Sequence, residues 1–267
     1  MRMDAAQDRE RFIEEMERQL SGWKDPVARL LRALEQDELE LFAQPILALG
    51  APGGFPMAEV LVRLREEENA LLPPGMFLPV FEFYGMMNEL DRWVARQVVA
   101  RLASGSRVPC LTVNVSAQTM GDPHFVPQIA AELARAKVPP SALAFEVDEE
   151  DLLSLPASAQ QFAAAVRESG ITLILDSFGR TVASFRPLRE LRANYVKVDG
   201  IIVRNLEASH IARNKLEAIV RIADLVGVQL IGSCVETPGA LTHLKAARVG
   251  FAQGFGIQAP VPIAALL

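Results

Sequence analysis

The feature that most restricts this chain's fold is the regular alternation of short β-rich runs with helical stretches. Runs rich in Val, Leu, Ile and aromatic residues occur at 38–47, 57–64, 109–115, 142–147, 172–176, 194–198, 228–232 and near 249–253. Helical patterns fall between most of them, notably at 87–103, 124–136, 157–169, 208–226 and 237–246. Eight strands interleaved with helices predict an α/β fold of the (β/α)8 TIM-like barrel type. A doubly wound open sheet is the alternative, but no Gly-rich strand-to-helix turn marks a dinucleotide site. The 267 residues suit one barrel, and a hydrophobic content of 50% supplies its core. The segments 51–56 (APGGFP) and Leu72-Pro73-Pro74-Gly75 read as turns.

Ahead of the barrel, residues 4–20 read as a charged helix with a narrow stripe of Phe12, Met16 and Leu20. Ser21-Gly22 and Pro26 break it, and a second helix runs to about Glu35, apolar at Val27, Leu30, Leu31 and Leu34. The expected division is therefore an N-terminal helical segment, 1–36, and a barrel domain, 37–267. The N-terminus is too charged for a signal peptide, and no run of 18 apolar residues exists to span a membrane. Cys110 and Cys234 lack CxxC spacing, which fits a reducing compartment. These features predict a cytoplasmic protein without membrane insertion. The formal net charge of −6 argues against a DNA or RNA polymer as ligand, because such binders need a basic stripe. A small anionic ligand is compatible if a few cations or a metal converge on one pocket.

A barrel carries its chemistry at the C-terminal ends of its strands. Glu59 and Arg63 lie four apart in the second strand and share a face. The third strand ends in Asn114, the fourth in Glu146 and the fifth in Asp176; the sixth carries Lys197 and then Asp199, Glu236 comes after the seventh, and the eighth reaches Gln253. Each residue alone has a bland reading. Arg63 could neutralise Glu59, Lys197 could pair with Asp199, and an Asp or Asn after a strand often caps the next helix or turn. Together, Glu59, Asn114, Glu146 and Asp176 form an oxygen-only donor set suited to Mg²⁺, Ca²⁺ or Mn²⁺ rather than Zn²⁺. His124, His210 and His243 fall in loop or helix patterns and receive no role.

The ordered motifs QPI (44–46), AEV with LVR (58–63), VNVS (113–116), EVDE (146–149), DSFGRTVASF (176–185), KVD (197–199), SCVE (233–236) and QGF (253–255) resemble those of the EAL domain family. Active members of that family hydrolyse cyclic di-GMP. The resemblance covers residues 37 to about 262 and implies a first strand antiparallel to the other seven. It implies a divalent metal, Mg²⁺ or Mn²⁺, on Glu59, Asn114, Glu146 and Asp176, with Lys197 beside the attacking water. It further implies ligand contacts from Gln44, Val60, Arg63, Glu236, Gln253 and Phe255, and a bracing role for Glu149 on the loop after the fifth strand.

The departures concentrate in one place. Ser177 stands where the family has the second Asp of DDFG, and Ser233 where it has the first Glu of AEGVE. Both family carboxylates serve a second metal and the catalytic water. The loop at 179–184 also loses a glycine and a tyrosine. Three functions are expected to compete: a catalytically silent receptor for cyclic di-GMP that acts on a protein partner, with a homodimer compatible; an active phosphodiesterase yielding pGpG; or a nucleotide-free protein–protein module.

Overall fold

The computed structural model describes residues 23, 25–36, 38–50, 54–67, 70–180, 188 and 190–266. The helix expected at 4–20 and positions 181–184 of the altered loop lie outside them. Helix α1 (Pro26–Glu35) starts where the sequence allows. The Asp25 carboxylate accepts the Ala28 N–H at 3.0 Å, and proline, which has no N–H to waste, fills the first turn. Leu30 and Ala33 are buried in the main core, and Arg29 donates to the Arg65 carbonyl at 2.8 Å, so this helix is fastened to the barrel.

The described strands are β1 (Leu39–Ala48), β2 (Met57–Glu67), β3 (Ala70–Leu72), β4 (Cys110–Asn114), β5 (Leu143–Asp148), β6 (Thr172–Phe178), β7 (Tyr195–Val198), β8 (Gln229–Gly232), β9 (Phe251–Ala252) and β10 (Val261–Pro262). Eight of them close a barrel in the order β1, β2, β4, β5, β6, β7, β8, β9 and back to β1, while β3 and β10 extend it at β2 and β1. Strand β1 runs antiparallel to both β2 and β9, and every other barrel pairing is parallel. The expected barrel and its inverted first strand are both present.

The described helices continue as α2 (Pro74–Phe83), α3 (Met87–Ser104), α4 (Ala117–Met120), α5 (Phe125–Ala136), α6 (Glu149–Ser154), α7 (Pro156–Ser169), α8 (Gly200–Arg204), α9 (His210–Val226) and α10 (Pro238–Ala246). Residues 72–75, read as a turn, instead lead into α2, with Pro73 at its N-cap and Pro74 at its first position. Proline is tolerated there because the first-turn N–H groups have no helical partner. Among the described residues no helix is long and apolar enough to cross a membrane.

Strand alternation sorts the side chains into two compartments. Outward residues such as Leu111, Phe145, Leu175 and Val196 pack against the helices; Phe145 lies between Phe125 and Phe162, with ring centroids 5.3 and 5.9 Å away. Each such fully buried side chain contributes about 1.5–3 kcal/mol. Inside the barrel, each of the eight strands sends one apolar residue to a separate plug: Ile46, Met57, Cys110, Ala144, Ile174 and Ile231, flanked by Tyr195 and Phe251 in edge contact at 5.5 Å. This dry floor sets the height of everything above it.

Candidate active site at the barrel mouth

Side chains two residues apart on a strand share a face, so each plug residue has an inward neighbour one pleat higher. Those neighbours are Gln44, Glu59, Thr112, Glu146, Asp176, Lys197, Ser233 and Gln253. The layer is wholly polar. Lys197 Nζ donates to Glu59 Oε2 and to Glu146 Oε2, both at 2.7 Å. Glu59 also accepts from Asn114 Nδ2 at 2.9 Å and from Gln253 Nε2 at 2.8 Å. Gln253 reaches Gln44 Oε1 at 3.3 Å, and Gln44 Nε2 donates to the Gln258 carbonyl at 3.1 Å. Thr112 donates its hydroxyl to Glu146 Oε1. Gln253 is placed by a close backbone approach: a Cβ on Gly254 would collide with the Val235 backbone N and O.

This burial sets the charges. Glu146 is fully enclosed, and burial pushes its carboxyl up to about 8, against the pull of Lys197 and with the Glu59 and Asp176 charges adding to the rise. Burial likewise raises Asp176. Burial works against Glu59 too, but the Lys197 charge and three donors outweigh it and leave that carboxyl lowered. Lys197, disfavoured by burial, is held well above its ordinary range by Asp176, Glu146 and Glu59. Among the described residues no three His, Cys, Asp or Glu side chains come together as they stand to hold a metal ion. The Lys197 ammonium lies between two of the expected ligands.

Two bland readings are overturned by this geometry. Arg63 does not pair with Glu59. Four residues of strand separate their Cα atoms by roughly 13 Å, and the Arg63 guanidinium lies over the Phe42 ring at 5.6 Å while Nη1 donates to the Val62 carbonyl at 2.9 Å. Desolvation lowers its pKa. Lys197 does not pair with Asp199 either, because its ammonium is taken by Glu59 and Glu146. Asp199, just past the end of β7, instead caps α8, accepting the Ile201 N–H at 2.8 Å.

Ser177 sits at an irregularity in the β6–β7 register with φ of +59°. Its hydroxyl accepts from Arg180 Nη2 at 3.1 Å, and Arg180 Nε donates to Asp199 Oδ2 at 3.0 Å. The Ser233 hydroxyl is buried with no hydrogen-bond partner among the described residues. Glu149 Oε2 accepts the Gly179 N–H at 3.2 Å, where it can brace the turn after β6. Thr112 and Arg180 are not singled out by the sequence alone. The signal for Thr112 is its alternation with Cys110 and Asn114, and for Arg180 the arrival of a cation in the loop after Asp176.

Two cavities open on this layer and share Asp176. One, of about 390 Å³, is lined by Lys197, Ser177, Arg180, Ser233, Glu236 and the 69%-exposed Phe255, among others. The other, of about 330 Å³, is lined by Val60, Asn114, Glu146 and Asp91, among others. Arg63 lines neither. A further cavity of about 350 Å³, between α9 and α10, holds none of the inward layer.

The chain matches the EAL domain family over residues 27–260. It is 33% identical over 241 residues to the cyclic di-GMP phosphodiesterase NbdA of Pseudomonas aeruginosa, covering 89% of this chain and 31% of that protein. It is 30% identical over 239 residues to the cyclic di-GMP phosphodiesterase PdeB of Shewanella oneidensis, covering 88% of this chain and 28% of that one. The chain thus spans less than a third of either relative. Its fold is similar to the crystal structure of the FimX EAL domain from Pseudomonas aeruginosa bound to c-di-GMP, with a TM-score of 0.83, 27% identity and coverage of 89% of this chain and 97% of that one. An eight-stranded barrel with an inverted first strand, a polar layer over an apolar plug, and a family match across most of the sequence lead to one conclusion: the chain belongs to the EAL domain family.

Proposed function

We propose that this chain binds cyclic di-GMP at the barrel mouth without hydrolysing it, and passes the signal to a protein partner. The observation that carries the reading is the composition of the mouth. The mouth has the family's residues at Glu59, Asn114, Glu146, Asp176, Lys197 and Gln253, while neutral Ser177 and Ser233 stand where a second metal would need carboxylates. Two cavities meeting at Asp176 give room for a ligand with two bases. Arg63, Gln44, Val60, Glu236 and Phe255 are the proposed further ligand contacts, and Glu149 the proposed brace.

With Glu59, Glu146 and Asp176 all ionised, as a bound metal would require, three carboxylates and one ammonium give the layer an excess of two negative charges, and every donor offered is oxygen. That fits one Mg²⁺ or Mn²⁺ on Glu59, Asn114, Glu146 and Asp176. Bound there, such an ion would polarise a phosphate oxygen. The second position does not fit a metal, because a serine hydroxyl is a poor ligand for a hard divalent cation. In-line hydrolysis with two metals clamps both the attacking and the leaving oxygen, and one ion cannot do both.

The competing reading is an active phosphodiesterase, favoured by identities of 33% and 30% to proteins of that activity. Titration calorimetry with cyclic di-GMP, with and without Mn²⁺, beside a chromatographic assay for pGpG separates the two. Binding without pGpG is expected; accumulation of pGpG that disappears in Glu59→Ala would overturn the proposal. Arg63→Ala should weaken binding by about 30-fold, on the order of 2 kcal/mol for a lost charge-assisted phosphate contact. Unchanged affinity in a folded Arg63→Ala protein would place the phosphates elsewhere.

A further inference from the structure

Arg180 sits between acids at the starts of two helices and a serine hydroxyl at the end of a strand. Its Nε meets Asp199 Oδ2 at 3.0 Å at the N-cap of α8, and its Nη2 meets Ser177 Oγ at 3.1 Å at the end of β6. Its Nη1 lies 4.0 Å from Asp148 Oδ2 and 4.0 Å from Glu150 Oε1, at the start of α6. Asp148 and Asp199 each spend their other oxygen capping a helix, on Glu150 N and Ile201 N at 2.8 Å. The oxygens facing Arg180 are therefore the ones left over for a cation. Lys197, the neighbouring cation in the same cavity, is already held by Glu59 and Glu146.

We propose that Arg180 is a tethered cation that fills this acidic rim and keeps a divalent ion out of it. This deepens the proposed loss of hydrolysis and rests on that reading of the pocket. A guanidinium neutralises the rim as an ion would, and its fork of donors ties Ser177 to Asp199 in a way a spherical cation cannot. It offers no open coordination position, so it cannot generate a nucleophilic water as a metal does. It also repels a second positive charge brought to the same oxygens. Ser177 contributes by being neutral, since it accepts from Arg180 without adding an anion. Restoring a carboxylate at 177 alone would then strengthen the grip on Arg180 instead of recruiting an ion.

The test counts ions and does not use activity. Mn²⁺ is titrated into wild type, Ser177→Asp, Ser177→Asp/Arg180→Gln and Ser177→Asp/Arg180→Lys, with free Mn²⁺ followed by electron paramagnetic resonance. Wild type, Ser177→Asp and the lysine variant should bind the same number of ions. The glutamine variant should bind one ion more than each of the other three. Ser177→Asp/Arg180→Thr serves as a second neutral variant should the glutamine protein fail to fold. A second ion on Ser177→Asp with Arg180 in place, or none gained in a folded neutral variant, overturns the proposal. The ion count needs no nucleotide. Failure of cyclic di-GMP to bind in calorimetry would therefore sink the receptor reading separately from this one.

Discussion

Glu146 is the residue on which the charge state of the site turns. It is enclosed on every side, and Lys197 is shared between it and Glu59, so one ammonium serves two carboxylates. A carboxyl pushed from 4.5 to about 8 still holds its proton in the folded chain when the unfolded chain has released it. The folded state then binds more protons between about pH 4.5 and 8, and stability falls as pH rises through that window. Asp91, raised to about 6 by burial, acts in the same direction, and so does Asp176; the lowered Glu59 is ionised in both states across this window and adds no slope there. Protein freed of divalent ions should lose on the order of 5 °C in melting temperature between pH 5 and pH 8. Glu146→Gln should flatten most of that slope. A melting temperature that climbs over the same interval would mean that Glu146 is ionised throughout.

The elements around the mouth are held by contacts too close for ordinary side chains. Helix α8 begins at Gly200, where an added Cβ would lie 2.6 Å from Cys234 Sγ and 2.9 Å from Cys234 Cβ. Cys234 itself has φ of +56°, a left-handed backbone that costs a non-glycine residue roughly 1–2 kcal/mol. Gly200→Ala should therefore destabilise by about 1–3 kcal/mol through overpacking. Cys234→Gly removes the obstructing side chain and the strain together, and should restore most of that loss in the double variant. Urea unfolding of the four proteins of the cycle checks it; additive effects would show that the two residues do not share the space. Elements α2 and β10 are hard to read from sequence because their local signals are ambiguous or too short. The proline pair that opens α2 is as good a turn signal as a helix start, and a two-residue strand such as β10 has no periodicity to detect.

At the scale of the molecule, closing the barrel brings Glu59, Glu146 and Asp176 from three strands into one layer, which stores repulsion that a cation relieves. A divalent ion that binds only the folded state stabilises it by mass action, about 2.7 kcal/mol at a hundred times its dissociation constant. Millimolar Mn²⁺ should raise the melting temperature by several degrees, and Asp176→Asn should remove most of the gain. A melt insensitive to Mg²⁺, Mn²⁺ and Ca²⁺, with or without cyclic di-GMP, would favour the nucleotide-free interaction module. Two ions refined in a crystal structure at the mouth of the wild-type protein would favour the phosphodiesterase.

The sequence by itself determined the alternation of strands and helices, the inward polar positions Glu59, Asn114, Glu146, Asp176, Lys197 and Gln253, and the replacements at Ser177 and Ser233. These are local facts: strand periodicity assigns a side chain to a face, and a motif assigns it a type. Partners across the barrel are not local. Lys197 lies two residues from Asp199 yet bonds Glu59, 138 positions earlier in the chain, and Glu146, 51 positions earlier. Arg63 shares a strand face with Glu59 but rests over Phe42. Arg180, just beyond the end of β6, meets the caps of two helices because β5 and β7 flank β6 in the sheet. Which charges meet was decided by the tertiary structure, since a buried charge selects its partner by distance through space, and the register of eight strands sets that distance.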